Sequence, residues 1–344
     1  MTILHIIPEL AFVNTYHGTY KDVISRVRWF EEHVRTYQQV RFTVGQTIRL
    51  TPELPSNSPD GIVVEYTRFP RLLRDLRRRY PAAKLASRAI NAEPLQFLDN
   101  QGWFPRRGPV WVLYGMLRLL INDAASRAQS DVVLSISDWE SRTYWRRLPG
   151  RTPVTSLPYY CPDHLVPKEP LPHTARHTIA CLPTSQKNRK SWDLVTRFYR
   201  FAEMMKAAGS DDAFVVTGDL DDWGLPDSTA VKCVGMIDDL STFLASVRAV
   251  CVLSPLGYGF KTTIGDALAA GAGVIAHPAI LQRCPDDIRN TACAVDTRTL
   301  NPAQVNVWLQ TRNTNDMQAA YRLARSRNHA ALADWIAHVG RSAT

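Results

Sequence analysis

V-C-V-L-S-P-L-G-Y-G-F-K-T-T-I-G-D-A-L-A-A-G-A-G-V-I-A-H-P, residues 250 to 278, divides into three parts. Val250 to Leu253 is a short apolar run that suits a parallel strand buried on both faces. Ser254 to Lys261 is a glycine-bearing loop that ends in a lysine. Thr262 to Ala270 has the composition of a helix stopped by Gly271, and Val274 to Ala276 begins a second buried strand. Strand, glycine turn and helix together form a general anion site. Gly257 and Gly259 let the backbone approach a ligand, the first helical turn offers N–H groups, and Lys261 adds a full positive charge. A phosphate is therefore expected here.

The pattern extends outward in both directions. Towards the N-terminus, Thr178 to Leu182 and Ala213 to Thr217 read as strands, Trp192 to Ala208 as the helix between them, and Val231 to Val234 as a further short strand. Asp239 to Val247 is a helix opened by Asp238 or Asp239. The first half shows the same alternation. Thr2 to Ile7 is a strand, Pro8 to Gly18 a loop, and Thr19 to Val34 a helix with Val23, Ile24, Val27, Phe30 and Val34 on one face. Val40 to Leu50, Ile62 to Tyr66, Ala83 to Ile90, Asp131 to Ile136 and Val154 to Leu157 read as strands. Val110 to Gln129 is a long helix, and Asp138 to Arg147 a helix capped by Ser137 or Asp138. The proline-rich segment from Pro158 to Pro172 reads as a linker. The expected fold is α/β: two doubly wound Rossmann-like domains that face a cleft. The divisions are 1–165, 166–322, and a C-terminal helix over 323–344 that packs back on the first domain.

The chain of 344 residues carries a net charge of +9, with most of the excess in residues 1–165. Arg68 to Tyr80 concentrates it: Phe69, Leu72, Leu73, Leu76 and Tyr80 share one face, and arginines fill the other. Such a helix suits an anionic membrane surface; equally, it suits the outside of a sheet with solvated arginines. No aromatic platform accompanies it, so nucleic acid is not an expected partner. The six cysteines show neither C-x-x-C nor zinc spacing, which points to reduced thiols and a cytoplasmic protein, at most at the cytosolic face of a membrane. The first ten residues lack a basic segment and read as a strand, not a signal peptide.

Gly257 to Pro278 resembles the donor-site signature of GT-B glycosyltransferases, in particular the large retaining family that uses nucleotide sugars. Its loop often reads Gly-x-Gly-apolar-Lys-x-Lys-x-x-Glu-Ala. Cys181 to Lys190 is similar to that family's first strand and loop of the donor domain, F-V-V-T-G-D to its second strand, and V-K-C-V-G-M-I-D-D-L to the segment passing the base. Q-S-D-V-V-L-S-I-S-D-W-E and S-L-P-Y-Y resemble elements before the hinge, and Asn91-x-Glu93 an acceptor-side loop. The resemblance implies an enzyme that moves a sugar from a nucleotide-diphosphate sugar to a glycan or lipid-linked acceptor, without metal or other cofactor. It implies donor contacts at Ser185, Lys187, Arg189, Lys190, Gly218, Gly235, Met236, Tyr258, Gly259, Phe260, Lys261, Thr262 and Asp266. Lys261 and Arg189 lead for the diphosphate, and Asp266 for the ribose. Two departures stand out: Tyr258 occupies the family's first acidic position, and Thr263 that of its second loop lysine. Should the transfer invert, Glu9, His17, Asp22 and Glu93 are the candidate bases, because loops after strand ends line such clefts. A nucleotide-sugar epimerase of the same architecture and a basic protein binding membrane or nucleic acid are the alternatives.

Overall fold

The computed structural model describes residues 1–13, 18–45, 48–100, 108–167, 171–184, 187–225 and 228–342. The expected His17 and Ser185 lie outside them. Two parallel sheets, each with its own helices, make up the chain. The first half supplies β1 (Thr2–Pro8), α1 (Gly18–His33), β2 (Thr36–Val44), β3 (Ile48–Thr51), β4 (Gly61–Glu65), α2 (Pro70–Arg79) and β5 (Lys84–Ala89). It continues with α3 (Glu93–Asp99), α4 (Pro109–Gln129), β6 (Val132–Ser135), α5 (Asp138–Thr143) and β7 (Val154–Ser156). Its seven strands run in the order β3-β2-β1-β4-β5-β6-β7, parallel except for β3.

The second half supplies β8 (Thr178–Cys181), α6 (Arg189–Ala207), β9 (Ala213–Val216), β10 (Val231–Cys233), α7 (Leu240–Ser246) and β11 (Ala249–Val252). Then come α8 (Thr262–Ala269), β12 (Gly273–Ala276), α9 (Pro278–Leu281), α10 (Asp286–Thr291), β13 (Cys293–Ala294), α11 (Pro302–Thr311) and α12 (Thr314–Ser342). Its six strands are all parallel, in the order β10-β9-β8-β11-β12-β13. Every residue of β4, β11 and β12 is buried, as helices on both faces require.

Three segments differ from the sequence reading, and one is the C-terminal helix expected over 323–344, which begins at Thr314. Val40 to Leu50 is not one strand but the far side of the antiparallel hairpin β2–β3, which begins at Thr36. Polar residues fill its outward positions because it forms the sheet edge. The acidic loop after Asn91 winds into α3, with Pro94 in its first turn.

The 29-residue α12 joins both halves. Met317, Tyr321 and Ala324 enter the core of the second half. Leu332, Trp335 and Val339 pack against Ile3, Trp29 and Phe30 of the first. Their spacing of three or four residues puts them along one side of the helix. Tyr321 also donates to Cys161 O in the linker at 2.8 Å. Among the described residues no helix is long and apolar enough to cross a membrane.

Beneath α1, five ionisable side chains form a chain inside the first half. Glu65 Oε1 accepts from His5 at 2.7 Å and from Arg26 Nε at 2.8 Å. Arg26 also bridges Glu65 Oε2 and Asp22 Oδ2, each at 2.7 Å. Arg88 donates to Asp22 Oδ1 at 2.9 Å. Burial lowers the His5 pKa, so the ring is neutral, donates from Nε2 to Glu65, and accepts the Tyr37 hydroxyl at Nδ1. Removing one partner of such a set leaves a buried charge uncompensated. Asp22→Ala, measured by urea unfolding, should cost about 3–5 kcal/mol; a loss below about 1 kcal/mol, the range of an exposed pair, would contradict the network's structural role.

Candidate functional site

In an open parallel sheet, ligands bind where the strand order reverses, outside the carboxyl ends of the strands. In the second sheet that point lies between β8 and β11. A cavity of about 340 Å³ opens there and extends to the first half. Leu182, Pro183, Thr184 and Lys190 line it from the β8–α6 side, and Ser254, Leu256, Tyr258, Phe260, Lys261 and Thr262 from the β11–α8 side. Gly218, Met236 and Ile237 also line it. The first half contributes Gly18, Thr19, Lys21, Asp22, Asn91 and Gln96. The starts of α1 and α8 face each other: a Cβ on Gly18 would stand 2.5 Å from Thr262 Oγ1.

Two ammonium groups converge on this cavity. A Cβ built on Gly257 would lie 2.5 Å from Lys261 Nζ and 2.6 Å from Lys190 Cδ. Neither lysine makes a hydrogen bond or ion pair with any described residue. Burial, and then the neighbouring Lys190 and Arg283, hold Lys261 well below the usual lysine range. Burial lowers Lys190 as well. Arg283 donates to Gly257 O and lies over the Tyr258 ring, 4.4 Å from its centroid. Unpaired cations in partial burial repel one another, and an anion placed between them would relieve both costs.

The glycine loop itself differs from expectation. Its N–H groups do not open onto the cavity. Gly257 N donates to Asp99 Oδ2 at 2.5 Å, Tyr258 N to Gln96 Oε1 at 2.8 Å, and Gly259 N to Glu140 Oε1 at 2.7 Å. All three acceptors belong to the first half. Asn91, with its amide nitrogen turned to the carbonyls, donates to Tyr258 O at 3.0 Å. Gly259 has φ +80, and a Cβ there would stand 2.4 Å from Ile90 O. The glycine therefore admits the other domain's backbone, not a ligand.

The remaining expected residues are divided. Lys190, Gly218, Met236, Tyr258, Phe260, Lys261, Thr262 and Asp266 line the cavity. Lys187 donates outward to Asp222 O, and Arg189 is exposed and reaches Asp99 O at 3.3 Å, so Lys190 is the β8–α6 cation at the cavity. Gly235 and Gly259 stand outside the lining. Asp266 uses one oxygen for Lys21 at 2.5 Å and the other for Tyr159 at 2.6 Å, so a ribose there would have to share it. Among the candidate bases, Glu9 pairs with Arg41 at 3.2 Å, and Glu93 with Arg68 at 2.5 Å; neither lines the cavity. Asp22 lines it, but both its oxygens accept from Arg26 or Arg88, which keeps its pKa low and makes it a poor proton acceptor.

Sequence reading missed Glu140, Gln96, Asp99, Lys21 and Arg283. Only Glu140 left a signal: it lies three residues after Ser137, whose hydroxyl caps its N–H at 3.2 Å. In such a box the glutamate returns to the cap. Here it turns away, and its Oε1 accepts from Ala92 N at 3.0 Å as well as from Gly259. Its Oε2 has no hydrogen-bond partner among the described residues.

Solved structures share this two-domain arrangement. Anabaena Alr3699/HepE, solved with UDP, matches at TM-score 0.64 with 11% identity, over 99% of this chain and 100% of that one. A glycosyltransferase from Rickettsia africae ESF-5 matches at 0.62 with 12% identity, over 100% and 98%. Sucrose-phosphate synthase of Thermosynechococcus elongatus matches at 0.60 with 14% identity, over 99% and 98%. No family model matches the chain, and no curated protein sequence does. At these identities the likeness concerns the fold, which is the two-domain GT-B fold of glycosyltransferases.

Burial raises the Glu140 pKa to about 7, against 4.5 for an ordinary glutamate. The folded chain thus keeps a proton that the unfolded chain releases, and stability falls as pH rises from about 4.5 to 7. Glu140→Gln keeps an acceptor for both N–H groups and removes this titration. Thermal melts across that range should show a flatter profile for the variant, with a gap of a few kcal/mol opening towards neutral pH. Parallel profiles would contradict the assignment.

Proposed function

We propose that the protein is a glycosyltransferase that takes a sugar from a nucleotide-diphosphate sugar. The observation that carries this reading is the pair Lys190 and Lys261, with no ion pair to either among the described residues, at the strand-order reversal of a GT-B donor domain. As the bond from the anomeric carbon to the diphosphate breaks, negative charge grows on the leaving oxygens. Two fixed ammonium groups stabilise that charge without rearranging, and Arg283 adds to the field from behind Tyr258. In this reading protein cations, not a metal, neutralise the leaving group. Gly218 and Met236 line the cavity, and in this reading they border the nucleotide base. The acceptor, a glycan or a lipid-linked sugar, would enter from the side of Gly18, Thr19 and Asn91. The HepE structures solved with UDP, and with UDP-glucose, lend support through the shared fold.

Titration calorimetry with UDP-glucose and other nucleotide sugars tests the reading. Lys261→Ala should weaken the best donor about ten- to hundredfold, the range of one charge-assisted hydrogen bond. The substitution breaks no ion pair among the described residues and removes a disfavoured buried charge, so the melting temperature should not fall. Absence of binding for every donor, or binding unchanged in the variant, would overturn the reading.

A further inference from the structure

The surface of the first half holds an apolar stripe that the fold does not use. Val110, Leu113, Tyr114, Leu117, Leu120 and Ile121 repeat at helical spacing along α4, and all are exposed. Val110 is 79% exposed and Ile121 64%, values ordinary for lysine and uncommon for a row of large apolar side chains. From Pro109 to Asn122 the only charged residue is Arg118.

Beside α4 on the same sheet face lies α2. Its Leu72, Leu73 and Leu76 are buried, while Arg71, Arg74 and Arg78 are exposed at a spacing of three and four residues. α2 runs beside the C-terminal part of α4, with Thr67 at Asp123 and Ser126 and Arg77 at Gln129 and Asp131, so the basic ridge continues the same face beyond the apolar stripe. An anionic bilayer uses both features: the acyl boundary takes the apolar side chains, and the headgroups take the guanidinium groups. Since no described helix can span a bilayer, the contact is with the surface.

We propose that the α2–α4 face is a docking surface for an anionic lipid membrane. It also places the cavity near that membrane. Phe97 of α3 packs against Trp111 of α4 at 5.5 Å, and the same short helix carries Gln96 and Asp99, which hold the glycine loop. The inference rests on the exposed face and is independent of the sugar-transfer reading; vesicle binding without donor binding would separate the two.

Co-sedimentation of the full chain with phosphatidylcholine vesicles, with and without phosphatidylglycerol, tests it. The protein should pellet with the anionic vesicles and remain in solution with the neutral ones. Leu117→Glu with Ile121→Glu should reduce partitioning about tenfold or more, and Arg74→Glu with Arg78→Glu should weaken it and remove its salt dependence. These positions are exposed, so an unchanged circular dichroism melt checks that each variant folds. No pelleting of the parent chain, or pelleting unchanged in both variants, would overturn the proposal. So would a dimer in light scattering that Leu117→Glu with Ile121→Glu splits, in the absence of vesicle binding, since the stripe would then meet a second copy.

Discussion

Three consecutive backbone N–H groups, at Gly257, Tyr258 and Gly259, donate to Asp99, Gln96 and Glu140 across the cleft. Much of the site depends on this seam. A loop with unbonded N–H groups next to a cavity would carry a desolvation cost or need an anion. Here the other domain supplies the oxygens, so the loop keeps its shape and the two sheets keep their spacing. Lys21 with Asp266, and the Tyr159 hydroxyl with the same carboxylate, add a second set of contacts, and Lys21 and Asp266 line the cavity.

With the amides of Gly257, Tyr258 and Gly259 occupied, Lys190 and Lys261 supply the cationic groups of the cavity. Among the described residues neither Lys190 nor Lys261 makes an ion pair, and Lys190 disfavours the charge on Lys261 more than the nearby Asp99 favours it. That is an unfavourable arrangement in the absence of a ligand and a favourable one around a diphosphate. Tyr258 lies beside Trp139 and beneath Arg283. This wall is aromatic and cationic, so it cannot accept a proton, and the transfer chemistry cannot run through it as a base.

The strands and helices around Val250 were legible because buried parallel strands are short apolar runs and Gly271, at positive φ, follows the end of α8. The edge hairpin was not: Thr36 to Val44 mixes polar and apolar residues, and its partner strand is visible only once the pairing is known. The cavity lysine was read to within one residue, since Arg189 and Lys190 are neighbours and only helix rotation decides which one faces inward. The same holds for Asp22, a lining residue whose oxygens serve Arg26 and Arg88, and for Lys21 beside it. Glu140 lies 119 residues from Gly259, and Lys21 245 from Asp266. Contacts at such separations leave no local pattern, and they are the ones that build the seam.

The account's central claim is that the diphosphate of a nucleotide sugar occupies the cavity between Lys190 and Lys261. Hydrogen–deuterium exchange with and without UDP-glucose tests it most directly. Slower exchange at the start of α6 and across residues 256–266 is the predicted result, because both segments border that position. Unchanged exchange in these segments at saturating nucleotide sugar, or protection confined to surfaces away from the cavity, would contradict it.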